Sequence, residues 1–137
     1  MDTFPQSART TPTRYRERAS YERATAYAVL DEAYLCHLGV VVDGEPRVLP
    51  MLHARVDDTL YLHGSTGART MLEARAEGVP VCVTVTHLDG LVLARAWMHH
   101  SVNYRSMVAF GRAHLVTDPA EKLRALTAVV NKVAAGR

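Results

Sequence analysis

Three acidic turn signals punctuate the middle of this chain, with runs of apolar and β-branched residues between them. They are Asp43-Gly44, Asp57-Asp58 and Asp89-Gly90. Asp-Gly suits a two-residue hairpin, because both central turn positions need positive φ. Connections that short join only antiparallel neighbours, since a parallel pair needs a crossover of a dozen residues or more. The middle of the chain is therefore restricted to an antiparallel meander. LCHLGVVVD, RVLPMLHARV and TLYLHG read as its first three strands. VCVTVTHL alternates with period two and reads as a fourth, and LVLARAWMHHS returns from Asp89-Gly90 as a fifth. YRSMVAFGRAHLV is a long sixth, with Gly111 marking a bulge or a close backbone approach. Pro50 has no amide to give a ladder, so it demands an edge, a bulge or a ligand-facing position.

Helical spacing brackets the strands. After Ser20, an N-cap residue type, Tyr21, Ala24, Tyr27, Ala28 and Leu30 recur on one face as far as Ala33. A second helix is expected after Ser65-Thr66-Gly67, with Met71, Leu72 and Ala74 apolar and Gly78 as its stop. Asp118-Pro119-Ala120-Glu121 opens a third, with Asp as cap, Pro in the first turn and Glu three residues beyond the cap. Residues 1–19 are rich in Thr, Pro and Arg and read as a flexible lead-in, leaving 20–137 as one domain. Hairpins in so short a chain close most economically into a small, mainly β barrel with helices at its ends.

Composition narrows the class. No run of 18 apolar residues occurs, so no membrane span is expected. The first residues lack the apolar stretch of a secretory leader, and Cys36 and Cys82 sit in strand-like runs, so the expectation is a cytoplasmic protein with reduced thiols. The net charge of +2 lies wholly in residues 1–23, and the rest is neutral. That pattern suits a solvated tail rather than a nucleic-acid surface.

The segment LYLHGSTGARTML holds the clearest chemistry. Gly64 and Gly67 permit close approach to a ligand, Ser65 and Thr66 offer hydroxyls, and Arg69 falls early in the expected helix. Helix amides and an arginine fork together suit a phosphate. An ordinary strand–turn–helix with a capping serine is the alternative. His99 and His100 are adjacent, so on a strand they point to opposite faces, while His37, His53, His63, His87 and His114 are scattered. No metal site is expected from such spacing. Neither cysteine has an activating neighbour, and no serine sits in a nucleophile elbow. The profile is that of a protein whose bound cofactor supplies the chemistry.

The runs YAVLDEAYLCHLGVVVDGEPRVLPM, LYLHGSTGARTML and VCVTVTHLDGLVLARAWMHHSVNYRSMVAFGRAHLV are also where the chain becomes recognisable. From residue 14 to 137 it resembles the flavin-nucleotide-binding branch of the pyridoxamine 5′-phosphate oxidase-like proteins, which includes the nitroimidazole-resistance (Nim) proteins. The resemblance implies an antiparallel split β-barrel that forms a homodimer and binds FMN at the two-fold interface. It places the strand from Arg47 through Pro50 and Met51 to Leu52 along the flavin ring. It gives the phosphate to Ser65 and Arg69, and brings Asn103, Tyr104, Arg105 and Ser106 to the flavin from one subunit or the other. His63 matches a histidine held close to the flavin in Nim-like proteins, and His63 and Arg105 are the expected catalytic pair. Two departures stand out. Ala68 replaces a serine often found before the phosphate-binding arginine, and the chain stops at Gly136-Arg137, where relatives continue with a further strand. The implied activity is an FMN-dependent oxidoreductase linking a small electron donor to a small acceptor. The alternatives are a non-catalytic flavin-binding or sensing module, or a deazaflavin- or haem-binding relative.

Overall fold

The computed structural model describes residues 2–64, 72 and 75–136. Helix α1 (Arg23–Glu32) leads into strands β1 (Leu35–Val42), β2 (Glu45–Val56) and β3 (Thr59–His63), and β4 (Val79–Val92), β5 (Ser101–Ala113) and α2 (Pro119–Val133) follow. The strands form one antiparallel sheet in the order β3-β2-β1-β4-β5. The sheet is not closed, and this open, mainly β arrangement is the split barrel expected from the sequence. The helix expected after Ser65 falls largely outside the described residues.

Two of the three turn signals behave as read. Asp43 and Gly44 have φ of 51° and 79°, the positive pair that turns β1 into β2. Asp57 has φ of 52°, which a short polar side chain tolerates. Asp89-Gly90 does not turn. β4 runs straight through it, with a register shift between Leu88 and Gly90. The physical reason is a partner on the facing strand: the Arg105 guanidinium donates to both Asp89 oxygens at 2.9 Å. The Asp89 carboxylate is thus held across the ladder, and the extra residue is absorbed as a bulge. The expected fourth strand therefore runs on to Val92, while the rest of the expected fifth, residues 93–100, is not a strand: the chain reverses there around a 3₁₀ turn at Trp97–His99.

Paired residues share a face of a sheet, which sorts the side chains. Cys36–Met51, Leu38–Leu49, Leu38–Val83 and Val85–Met107 are pairs. They meet α1, whose Val29, Leu30 and Ala33 complete a core with Cys36, Leu38, Val83 and Val85. The opposite face holds Leu35, Val41, Val48, Tyr104, Val108 and Phe110, which remain 36–68% exposed.

The ends of the helices are tied down. α1 begins two residues later than the Ser20 cap implies: Glu22 is the capping residue, and the Ser20 hydroxyl accepts from its amide at 3.3 Å. The Asp118 cap of α2 holds, its carboxylate accepting from the Glu121 amide at 3.1 Å. Tyr61 on β3 donates to Glu121 at 3.0 Å, and Lys132 donates to the Leu30 carbonyl at 3.0 Å. The start of the chain is tied to α1, the Phe4 amide bonding the Tyr21 carbonyl at 2.8 Å and Asp2 pairing with Arg23 at 3.0 Å, while Arg9 reaches β5 and stacks over Phe110 at 4.6 Å. Among the described residues no helix is long and apolar enough to cross a membrane.

Leu30 is 4% exposed at the centre of the core. Leu30→Ala is expected to cost about 2–5 kcal/mol by loss of burial and creation of a cavity. Urea denaturation followed by circular dichroism reads this as a lower midpoint at constant slope.

Candidate functional site

β2 lies inside the sheet, yet half of it has a free side. β3 pairs only with Leu52–Val56, so residues 45–51 have β1 on one flank and no described strand on the other. Pro46 and Pro50 fall in this stretch, where a missing amide costs little. Of the positions open to Pro50 on sequence grounds, it occupies a local edge. Backbone groups that point away from β1 here are available to the polar rim of a planar ligand.

A shallow floor runs from that edge across the open face. Register aligns Pro50 with His37, Thr84 and Val108, and aligns Val48 with Gly39, Cys82 and Phe110. His37 and Thr84 thus lie between Pro50 and Val108, and the short Gly39 and Cys82 lie between Val48 and Phe110. One step along, Leu52 pairs with both Leu35 and His63. Pro50, Leu52 and His63 are thus brought together on one face.

The other expected site residues separate. Arg47 pairs with Val40 and Met51 with Cys36, which turns both towards the α1 side. A Cβ on Gly64 would lie 3.1 Å from the Met51 methyl, so Met51 is packed against the end of β3. Ser65 and Arg69 lie outside the described residues. Tyr104 and Ser106 share the open face with Pro50, but on β5, three strand spacings from β2, or about 14 Å. Asn103 pairs with Gly90 just beyond the bulge. Arg105 pairs with His87, whose ring bonds the Val29 carbonyl of α1 at 2.9 Å, so Arg105 faces the helix side. Its guanidinium is engaged there by Glu32, at 2.6 and 3.2 Å, as well as by Asp89. Those bonds raise the arginine's pKa and hold both carboxyls below their ordinary range.

Sequence reading missed a groove beside His63. Its walls are His63 and Leu52 from the sheet and Leu126, Val130, Val133 and Ala134 from α2, around about 300 Å³. The helical spacing of those α2 residues was visible, but which element they face is a matter of tertiary packing. Also missed was His53, on β2 beside Leu52 and only 1% exposed. The Lys132 ammonium donates to its Nδ1 at 3.4 Å, and its Nε2 has no partner among the described residues. Burial, reinforced by the Lys132 charge, pushes this imidazole down to about 4. Burial likewise pushes the Cys36 thiol up to about 11, which keeps it protonated and unreactive. Among the described residues, no three His, Cys, Asp or Glu side chains gather as a metal site.

Comparison with known proteins places this geometry among flavoproteins. The sequence profile of the pyridoxamine 5′-phosphate oxidase family matches residues 22–137. No curated protein sequence matches. Among solved structures, the flavocytochrome Anf3 from Azotobacter vinelandii is 38% identical with a TM-score of 0.82, over 95% of this chain and 60% of that one. The FAD and heme binding protein from Mycobacterium smegmatis is 38% identical with a TM-score of 0.73, over 86% of this chain and 57% of that one. This chain therefore spans less than two thirds of either. A candidate 5-nitroimidazole antibiotic resistance protein from Bacteroides thetaiotaomicron is 25% identical with a TM-score of 0.68, over 86% of this chain and 70% of that one.

The state of His53 has a measurable consequence. An unfolded histidine titrates near 6.5, whereas folded His53 stays neutral down to about 4. Between those values the unfolded chain holds a proton that the folded chain refuses, so stability falls as pH drops through the window. The whole effect is on the order of 3 kcal/mol. His53→Leu is expected to flatten the denaturation midpoint between pH 6.5 and 4. An unchanged slope assigns the titration to other groups.

Proposed function

This chain belongs to the pyridoxamine 5′-phosphate oxidase family, and from that premise we propose that it binds FMN and moves electrons through it between a small donor and a small acceptor. The observation that carries the reading is the floor beside the free half of β2. It offers a mixed surface of Val48, Pro50, Val108 and Phe110 around His37 and Thr84, beside a stretch of β2 that has no described strand on one flank, and a flavin ring has an apolar face and a polar rim. The isoalloxazine supplies the redox chemistry when bound. The protein's part is to orient it. Pro50 and Leu52 pack against the ring, backbone groups near Pro50 and Met51 bond its rim, and Ser65 and Arg69 hold the phosphate. His63, across from Leu52, is the imidazole at that end of the floor.

A second copy of the chain completes the site. Leu35, Val41, Val48, Tyr104, Val108 and Phe110 share the open face and stay exposed, a set of apolar side chains that a second chain would cover. Tyr104 and Ser106 lie too far along the sheet to reach the Pro50 edge of their own chain, whereas a symmetry-related copy brings its own pair there. Arg105 is held by Glu32 and Asp89 of its own chain. The two free cysteines, Cys36 and Cys82, favour a reducing compartment, so we place the protein in the cytoplasm.

A second reading adds haem. Two solved structures at 38% identity are a flavocytochrome and an FAD and heme binding protein, and the aliphatic groove with its one imidazole suits such a group. FAD shares the ring and first phosphate of FMN, so both flavins belong in the same test.

Titration monitored by flavin fluorescence quenching is expected to show saturable binding of FMN. Arg69→Ala should weaken it roughly ten- to a hundredfold, the worth of a charge-assisted phosphate contact. Equal affinity in wild type and variant would place the phosphate elsewhere, and absence of binding by either flavin would sink the reading. Sedimentation of the flavin-loaded protein at micromolar concentration is expected to give twice the chain mass. A flavin-loaded monomer would exclude the shared site.

A further inference from the structure

We propose that the Phe110 end of the open face binds an organic anion, whose carboxylate is held by Arg9 and Arg112. Resting on the flavin reading above, this names the chemical class of the small molecule that meets the flavin. The first observation is how charge divides between the two faces of the sheet. Register puts on the open face the odd-numbered residues of β1 and β3 and the even-numbered residues of β2, of β4 as far as Leu88, and of β5. None of them is Asp or Glu. Glu121 of α2 meets this face only at its β3 end, where it takes the Tyr61 hydroxyl. The acids gather on the α1 side, where Asp31 and Glu32 receive Arg55 and Arg105. A face without carboxylates imposes no like-charge repulsion on an arriving anion.

The second observation is where the lead-in carries its charge. Read from sequence as flexible, it folds residues Ala8–Thr10 into a 3₁₀ turn. The Ser7 amide donates to the Thr10 hydroxyl at 2.8 Å, and the Thr11 hydroxyl donates to the Ser7 carbonyl at 2.7 Å. Tyr21, just ahead of α1, donates to the Thr10 carbonyl at 2.6 Å. These bonds hold Arg9 beside β5, its guanidinium 4.6 Å from the centre of the Phe110 ring. Arg112 is the next residue of β5 on the same face, and one of its nitrogens donates to the Gly78 carbonyl at 3.3 Å. Arg23, Arg55 and Arg105 each pair with a carboxylate, whereas Arg9 and Arg112 have none among the described residues. A guanidinium over a ring keeps N–H groups for another partner, and its fork matches a carboxylate. Phe110, 36% exposed, sets an apolar ring beside that charge, which suits an anion with a planar body.

The test is equilibrium dialysis of the full-length protein, at low salt, against naphthoate and against its neutral amide, each with and without FMN. Naphthoate should saturate and bind about tenfold or more tighter than the amide. Arg9→Gln and Arg112→Gln should each remove most of that preference and leave FMN affinity at the wild-type value. Arg16→Gln removes the same charge from another part of the lead-in, where Arg16 bonds the Pro12 carbonyl, and should keep the preference. Equal binding of acid and amide overturns the proposal, as does wild-type preference in Arg9→Gln. An equal loss in Arg16→Gln makes the preference a matter of overall charge and overturns it too. If Arg9→Gln loses FMN together with naphthoate, the corner belongs to the flavin phosphate and the proposal falls. FMN bound with acid and amide held alike overturns the anion corner alone. Naphthoate preferred with no FMN bound overturns the flavin reading alone.

Discussion

Three consecutive residues in the last turn of α1 hold the structure together. The Leu30 carbonyl receives Lys132 from α2, the Asp31 carboxylate receives Arg55 from β2, and Glu32 receives Arg105 from β5. The C-terminus of a helix is an electronegative place, and two acidic side chains add to it. The three cations offset both the free carbonyls and the carboxylates, and each arrives from a different element. α1 is thereby fixed in position over the sheet, and its Val29, Leu30 and Ala33 are held against Cys36, Leu38, Val83 and Val85. A helix so anchored covers one face of the sheet; on the other, α2 meets β2 and β3 around Leu52, Tyr61 and His63, and the residues from Val48 to Phe110 stay exposed.

Location decides what the polar core costs. The Arg105 cluster is partly solvated, with side chains between 37% and 55% exposed, so it sets geometry more than it adds stability. His53 lies in the opposite regime. It is buried beside an ammonium, stays neutral, and leaves one nitrogen without a described partner. Buried polar atoms of that kind are expensive unless something answers them, and His53 stands directly behind Leu52, the residue that the flavin floor and the groove share.

Local chemistry was legible and distant partnership was not. Asp43-Gly44 turns where it was read to turn, because the requirement for positive φ is met within two residues. Asp89-Gly90 presents the same dipeptide and does not turn, because the fate of Asp89 depends on an arginine 16 residues later. Pro50 was read as an edge or ligand-facing position from its missing amide alone. Arg105 shows the limit: nothing in the NYRS run reveals its partner Glu32, which lies 73 residues away in sequence. The groove on α2 escaped for the same reason. Its apolar spacing was plain, but a helix stripe does not reveal which strand it will face.

The bulge between Leu88 and Gly90 reaches further than one irregular pair. In an unbroken strand, residues three apart point to opposite faces. One additional residue in β4 reverses the alternation beyond it, so Leu91 comes to the same side as Leu88, alongside their partners Val102 and Tyr104. Four large side chains are thus gathered at one end of the open face by a single unpaired position. Loss of the unpaired Asp89 would leave Leu88–Tyr104, Gly90–Asn103 and Leu91–Val102 as successive regular pairs, with the same faces but without the carboxylate that holds Arg105.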